Sequence, residues 1–247
     1  MPPLGFALSC SLLPFGFGFS VLLVLLLEWL APHVIPFDLS TFWAVEQPLW
    51  TAFSGSFLLA WPAMAGGLLL TLVSLPRIRH VQRQLAWQGS ADGQVIKLGP
   101  VRLVLQSALE EILFRWLLFY AAIAGAVFVD FLVLGFADLH PVRWIFTEVF
   151  IPVADFATAG HLHQVLTEHP WTVAAAMLTS NGRFRNTHGY QGILGWIWSW
   201  YMGMFLFLVM FEYGLVAAMA IHIAHNLVTL GVHLVIVGTL PRMVIRG

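Results

Sequence analysis

Three polar clusters interrupt an otherwise apolar sequence, and each holds side chains able to do acid–base chemistry. The first is ALEEILFRWLLFY, residues 108–120, with Glu110, Glu111 and Arg115. Glu111 and Arg115 are four apart, so on a helix they meet on one face. Glu110 is rotated by about 100° from Glu111 and is less well placed to pair with Arg115. The spacing therefore predicts two roles: Glu111 as a carboxylate held by a cation, and Glu110 as a carboxylate left for general-base work. The second cluster is NGRFRNTHGYQG, residues 181–192, where Phe184 and His188 share a face at four-residue spacing. The third is AIHIAHNLV, residues 220–228, where His222 and Asn226 share a face and His225 lies beside both. His222 and Asn226 are two hydrogen-bond donors able to aim at one point, which is what stabilising an oxyanion requires.

Each cluster also has a purely structural reading. Glu111 and Arg115 make a plausible ion pair between helices, though that leaves Glu110 without a partner. Taken alone, the second cluster reads better as a cytoplasmic turn with an exposed histidine. The third is harder to explain as packing, because a histidine and an asparagine one turn apart stand in a long apolar run.

The elements that carry these residues follow from composition. The chain has 247 residues, 60% hydrophobic and 9% charged, with a mean hydropathy of +0.86. Soluble domains carry about a quarter charged residues, so the expected fold is all-α, a polytopic transmembrane helical bundle forming one integral membrane domain over 1–247. A span needs about 20 mostly apolar residues. Apolar runs predict six spans, near 5–30, 49–75, 103–135, 171–189, 192–211 and 214–237. The third is long enough to tilt, or to break near Gly125. A net charge of −1 argues against nucleic-acid binding, and the single cysteine, Cys10, permits no internal disulfide.

The stretch 77–102 carries Arg77, Arg79, Arg83, Lys97 and Arg102 and reads as a basic, linker-like cytoplasmic loop by the positive-inside rule. Six spans then put both termini in the cytoplasm, and Arg242 and Arg246 agree. Segment 136–170 falls outside and reads as an amphipathic helix in the membrane interface; a seventh, re-entrant or spanning element there is the alternative. Trp29, Trp43, Trp50, Trp171, Trp200 and Tyr213 read as interface belts. Charged groups inside spans are costly and usually mark function or an interior pair. Asp130, in the third run, has no assignment from sequence.

In family order, the clusters read Glu110-Glu111-Ile-Leu-Phe-Arg115, Phe184-Arg-Asn-Thr-His188 and His222-Ile-Ala-His-Asn226. Together they resemble the CAAX-protease and bacteriocin-processing family of intramembrane proteins, whose pattern is EExxxR, FxxxH and HxxxN, each on a membrane helix. The resemblance covers about 103–230 as a catalytic core. It departs at the second motif, where Arg183, Arg185 and Asn186 replace the family's apolar surroundings. It implies an intramembrane glutamic-type endopeptidase without cofactor or metal ligand. Glu110 and His188 would activate water, His222 and Asn226 would stabilise the oxyanion, and Glu111 and Arg115 would support the site. The implied partners are a peptide or protein substrate at the membrane, lipidated in the eukaryotic branch, and the lipid bilayer. The expected location is the plasma membrane of a bacterium.

Two enzymatic rivals are weaker on sequence. No His-Glu pair offers a zinc-protease HExxH, although His222 and His225 are three apart. No GxSxG occurs either. The alternative from another class is a catalytically silent scaffold, an immunity protein or a proton-coupled transporter using the same polar cluster.

Overall fold

The computed structural model describes residues 21–22, 25–26, 28–29, 34–44, 47–86 and 92–238, with backbone alone for 49, 74–86, 92–99, 190, 233–234 and 236–238. The predicted span over 5–30 and the basic C-terminal residues Arg242 and Arg246 fall largely or wholly outside these. Every regular element among the described residues is helical. Helix α1 covers Leu49–Ala86 and α2 covers Asp92–Glu111. A π-helical turn, Ile112–Leu117, joins α2 to α3, Leu118–Leu132. Three short helices follow: α4 (Pro141–Ile145), α5 (Ile151–Ala157) and α6 (His163–Thr167). The bundle closes with α7 (Trp171–Thr187), α8 (Gly192–Tyr213) and α9 (Leu215–Gly238).

Among the described residues, four helical stretches are long and apolar enough to cross a membrane: Trp50–Val73, Pro100–Leu132, Gly192–Tyr213 and Leu215–Val232. The protein is thus an all-helical membrane protein. The predicted span at 171–189 is a helix, α7, but is not among the four. At 17 residues, and polar after Leu178, it is shorter and less apolar than the others. Thr172 through Met177 are buried on every side, and α7 packs against α3 and α8. A helix enclosed by protein need not be uniformly apolar, whereas one facing lipid must be. Two further expectations change. The 103–135 run does not break at Gly125; its irregularity is the π turn ten residues earlier. The basic stretch 77–102 is mostly helix, since α1 runs to Ala86 and α2 starts at Asp92.

Helix α1 shows how the spans pack. Its wide face carries Trp50, Phe57, Leu58, Trp61 and Leu69, all exposed. Its opposite face carries the buried small residues Ala52, Ser56, Ala60 and Ala63. Small residues let helices approach closely where lipid supplies no hydrophobic drive. At Gly66 and Gly67, an added Cβ would collide with Trp198 of α8 and His225 of α9, so those rings lie against bare backbone.

Asp130 acquires a structural account. Its Oδ1 accepts the Arg143 backbone N–H at 3.0 Å, and its Oδ2 lies 2.7 Å from His140 Nδ1. It caps the first turn of α4, whose amide groups have no partner within the helix. Trp200 also departs from expectation: it sits mid-helix against the core rather than at a span end.

Candidate functional site

The site is assembled by α2, the π turn, α7 and α9. Glu111 and Arg115 are both fully buried, and Arg115 Nη1 lies 3.1 Å from Glu111 Oε1. A buried charge is tolerable only when paired. The pair predicted from spacing is therefore present, joining the last residue of α2 to the π turn. That turn is closed by the Leu118 N–H donating to Leu113 C=O, a five-residue step. Such single π turns recur at functional sites.

Glu111 has a second partner that the sequence did not announce. His222 Nδ1 lies 2.7 Å from the same Oε1. Because a carboxylate accepts, Nδ1 carries the proton, and Nε2 is the nitrogen turned toward Glu110 Oε2, 3.8 Å away. A carboxylate that fixes an imidazole's tautomer and direction from behind is a familiar device.

Glu110 is rotated off this buried axis, as helix geometry requires, and its side chain is 19% exposed. It is not without a partner: Gln106 Nε2, one turn back, donates to its Oε1 at 2.9 Å. Asn226 Nδ2 donates to Ser107 Oγ at 2.9 Å, and the buried Ser107 hydroxyl donates in turn to Leu103 C=O. Gln106 and Ser107 are functional neighbours that sequence reasoning passed over. Their signal was position, one turn before the two glutamates.

His188 ends α7 and is half-buried. Its Nδ1 donates to Phe184 C=O at 2.9 Å, and its ring lies tilted against Phe184, 4.5 Å between centroids. Phe184 does more than set spacing. The Arg115 guanidinium carbon lies 3.9 Å above its ring, and its edge meets His222 at 6.0 Å. The polar residues that flank this motif turn elsewhere. Arg185 stacks on Trp196 at 3.8 Å and donates to Asn186 Oδ1, while Arg183 is exposed.

A cavity of about 280 Å³ brings these groups together. Ser107, Glu110 and Asn226 line it alongside His188, with Arg102, Leu103, Gln106 and Gln191 completing the wall. His222 does not line it; it is 4% exposed and stands behind Glu110. The idea of His222 and Asn226 as two donors aimed at one point therefore changes. Asn226 faces the cavity, and His222 faces the glutamates. His225 points away, toward Gly67 of α1, so the two histidines of α9 do not face a common point. Among the described residues, no three His, Cys, Asp or Glu side chains are grouped to hold a metal ion.

One further contact packs the site. On α8, a Cβ at Gly203 would strike Asn181 Oδ1 and Arg115 Nη2. Gly203→Ala is expected to overpack this point and cost about 1–3 kcal/mol, seen as a lower unfolding midpoint in detergent than that of Gly231→Ala, where the space is open.

Fold and site together define an all-helical membrane protein with a buried carboxylate–arginine–histidine centre beside a polar cavity. No family model, curated protein or solved structure matches the chain.

Proposed function

We propose that the protein is an intramembrane glutamic-type endopeptidase that hydrolyses a peptide bond of a membrane-associated substrate. The observation that carries this reading is the shared cavity: Glu110, His188 and Asn226 open onto one space, while Glu111, Arg115 and His222 form a paired, buried support behind it. A catalytic carboxylate needs a water, a place for the substrate carbonyl, and a donor for the developing oxyanion. The cavity offers room for the first two and the Asn226 amide for the third.

In this mechanism Glu110 takes a proton from a water in the cavity. The resulting hydroxide adds to the peptide carbonyl carbon, and Asn226 donates to the oxyanion. The tetrahedral species then collapses. The C–N bond breaks, the leaving amine takes the proton from Glu110, and the water oxygen remains in the new carboxylate. His188 stands on the same wall to orient water or leaving group. Gln106 holds Glu110 Oε1, and His222, fixed by Glu111, stands behind it with Nε2 3.8 Å from Oε2. The test is cleavage of a panel of lipidated and unlipidated peptides by purified protein, compared with Glu110→Gln and His188→Ala. Activity equal in wild type and both variants would remove the reading.

The same proposal includes the six-span arrangement, with the basic stretch 77–102 and both termini cytoplasmic and 136–170 in the outer interface. Exposed Trp144, Val153 and Phe156 support an interfacial seat for α4 and α5. In a Cys10→Ser background, Glu168→Cys is expected to react with a membrane-impermeant maleimide in intact cells. Arg183→Cys is expected to react only after permeabilisation. The reverse pattern would invert the orientation.

A further inference from the structure

We infer that Asn181 is a positioning residue of the glutamate centre, acting on Glu111 through Arg115; this rests on the peptidase reading for its catalytic consequence alone. Asn181 is fully buried on α7, one turn before Phe184. Its Nδ2 donates to Trp200 C=O of α8 at 2.7 Å. That bond settles which end of the carboxamide is the donor and leaves Oδ1 as an acceptor.

Gly203, on the next turn of α8, shows where Oδ1 lies. The point its missing Cβ would occupy touches Asn181 Oδ1 and Arg115 Nη2 together. A bare stretch of α8 backbone thus forms a notch holding a carboxamide oxygen beside a guanidinium. Among the described residues, Asn181 Oδ1 and all three guanidinium nitrogens of Arg115 lack a hydrogen bond of standard geometry and are cut off from solvent. Arg115 has five N–H donors, one ion-pair oxygen on Glu111 at 3.1 Å and an aromatic face beneath it. A buried acceptor without a donor is costly, and the guanidinium beside it carries N–H groups that a small shift brings onto that oxygen.

The consequence reaches the glutamates. Glu111 Oε1 serves both Arg115 and His222, so a guanidinium that swings away leaves that oxygen to His222 alone and shifts where it sits, and with it the direction of His222 Nε2. A neutral acceptor suits this place. It steadies Arg115 without competing for its charge, whereas a carboxylate at 181 would draw Arg115 from Glu111.

The experiment uses full-length protein in detergent, with Asn181→Leu removing the acceptor at similar volume and Asn181→Asp keeping it but adding charge. The first readout is independent of activity: ¹⁵N NMR of labelled histidine, with His222 assigned by His222→Gln. Wild type is expected to give one Nδ1-protonated ring for His222, and both variants an averaged or shifted one. The second readout is peptide cleavage, where kcat is expected to fall about 10–100-fold, the usual range for a supporting shell, with KM unchanged. If Asn181→Leu does not fold, Asn181→Asp is read alone. An unchanged His222 signal and unchanged kcat in the folded variants would overturn the inference. If wild type shows no Glu110-dependent cleavage, the peptidase reading fails, and the His222 signal still decides the role of Asn181.

Discussion

Glu110→Gln is expected to lower the rate of peptide cleavage by about 10³-fold, within the range for losing a general base, while leaving the protein folded. The side chain keeps its volume, and a carboxamide oxygen still accepts from Gln106 Nε2, now at 2.9 Å from Glu110 Oε1. What disappears is the ability to take a proton from water at the cavity wall. Stability should hold or rise slightly. Glu110 is the second carboxylate near one buried arginine, and neutralising it removes a like-charge neighbour of Glu111. The measurement is kcat together with the unfolding midpoint in the same detergent. A variant that loses its midpoint along with its activity would make Glu110 a structural residue instead.

Arg115→Met is expected to have the largest effect on stability. Arg115 and Glu111 are both at 0% exposure, so the substitution leaves a carboxylate buried with only His222 to answer it. Breaking one side of a buried pair costs about 3–5 kcal/mol. The loss includes the guanidinium stacked 3.9 Å over Phe184, whose ring also meets His188 and Phe114. Adding Glu111→Gln to Arg115→Met removes the orphaned charge and should recover much of the midpoint, since replacing both members of such a pair is often close to neutral. Activity should stay lost in the double variant, because a neutral residue at 111 no longer anchors His222 Nδ1 in the same way. Recovery of both would separate the pair from the chemistry.

Much of this site was legible in the sequence because it obeys local geometry. The Glu111–Arg115 pair follows from four-residue spacing, and the turning of Glu110 away from that pair follows from adjacency on a helix. The extents of α8 and α9 follow from apolar runs, as does α1 through its apolar part; its continuation to Ala86 does not. What could not be read are contacts across the bundle. Nothing in spacing joins His222 to Glu111, 111 residues away, or Asn226 to Ser107, 119 away. Ser107 and Gln106 were hidden because small polar residues are unremarked in a helix until a partner arrives from another. The second half of α7 was hard to read for a different reason. The protein-walled part from Thr172 to Met177 is mostly apolar, whereas the polar residues that follow include the buried Ser180 and Asn181 and the exposed Arg183 and Asn186, so hydropathy marks only the first half. Asp130 was opaque because its partners, His140 and the Arg143 amide, lie past a turn.

The central claim is that Glu110 activates water for direct attack on a peptide bond. It is tested most directly by cleavage in H₂¹⁸O under single-turnover conditions, with mass spectrometry of both the product and the protein. The account predicts one ¹⁸O in the new carboxylate within the first turnover, no acylated protein at any time, and no labelled product with Glu110→Gln. An acyl-protein that precedes product, or labelled product formed equally by Glu110→Gln, would contradict it.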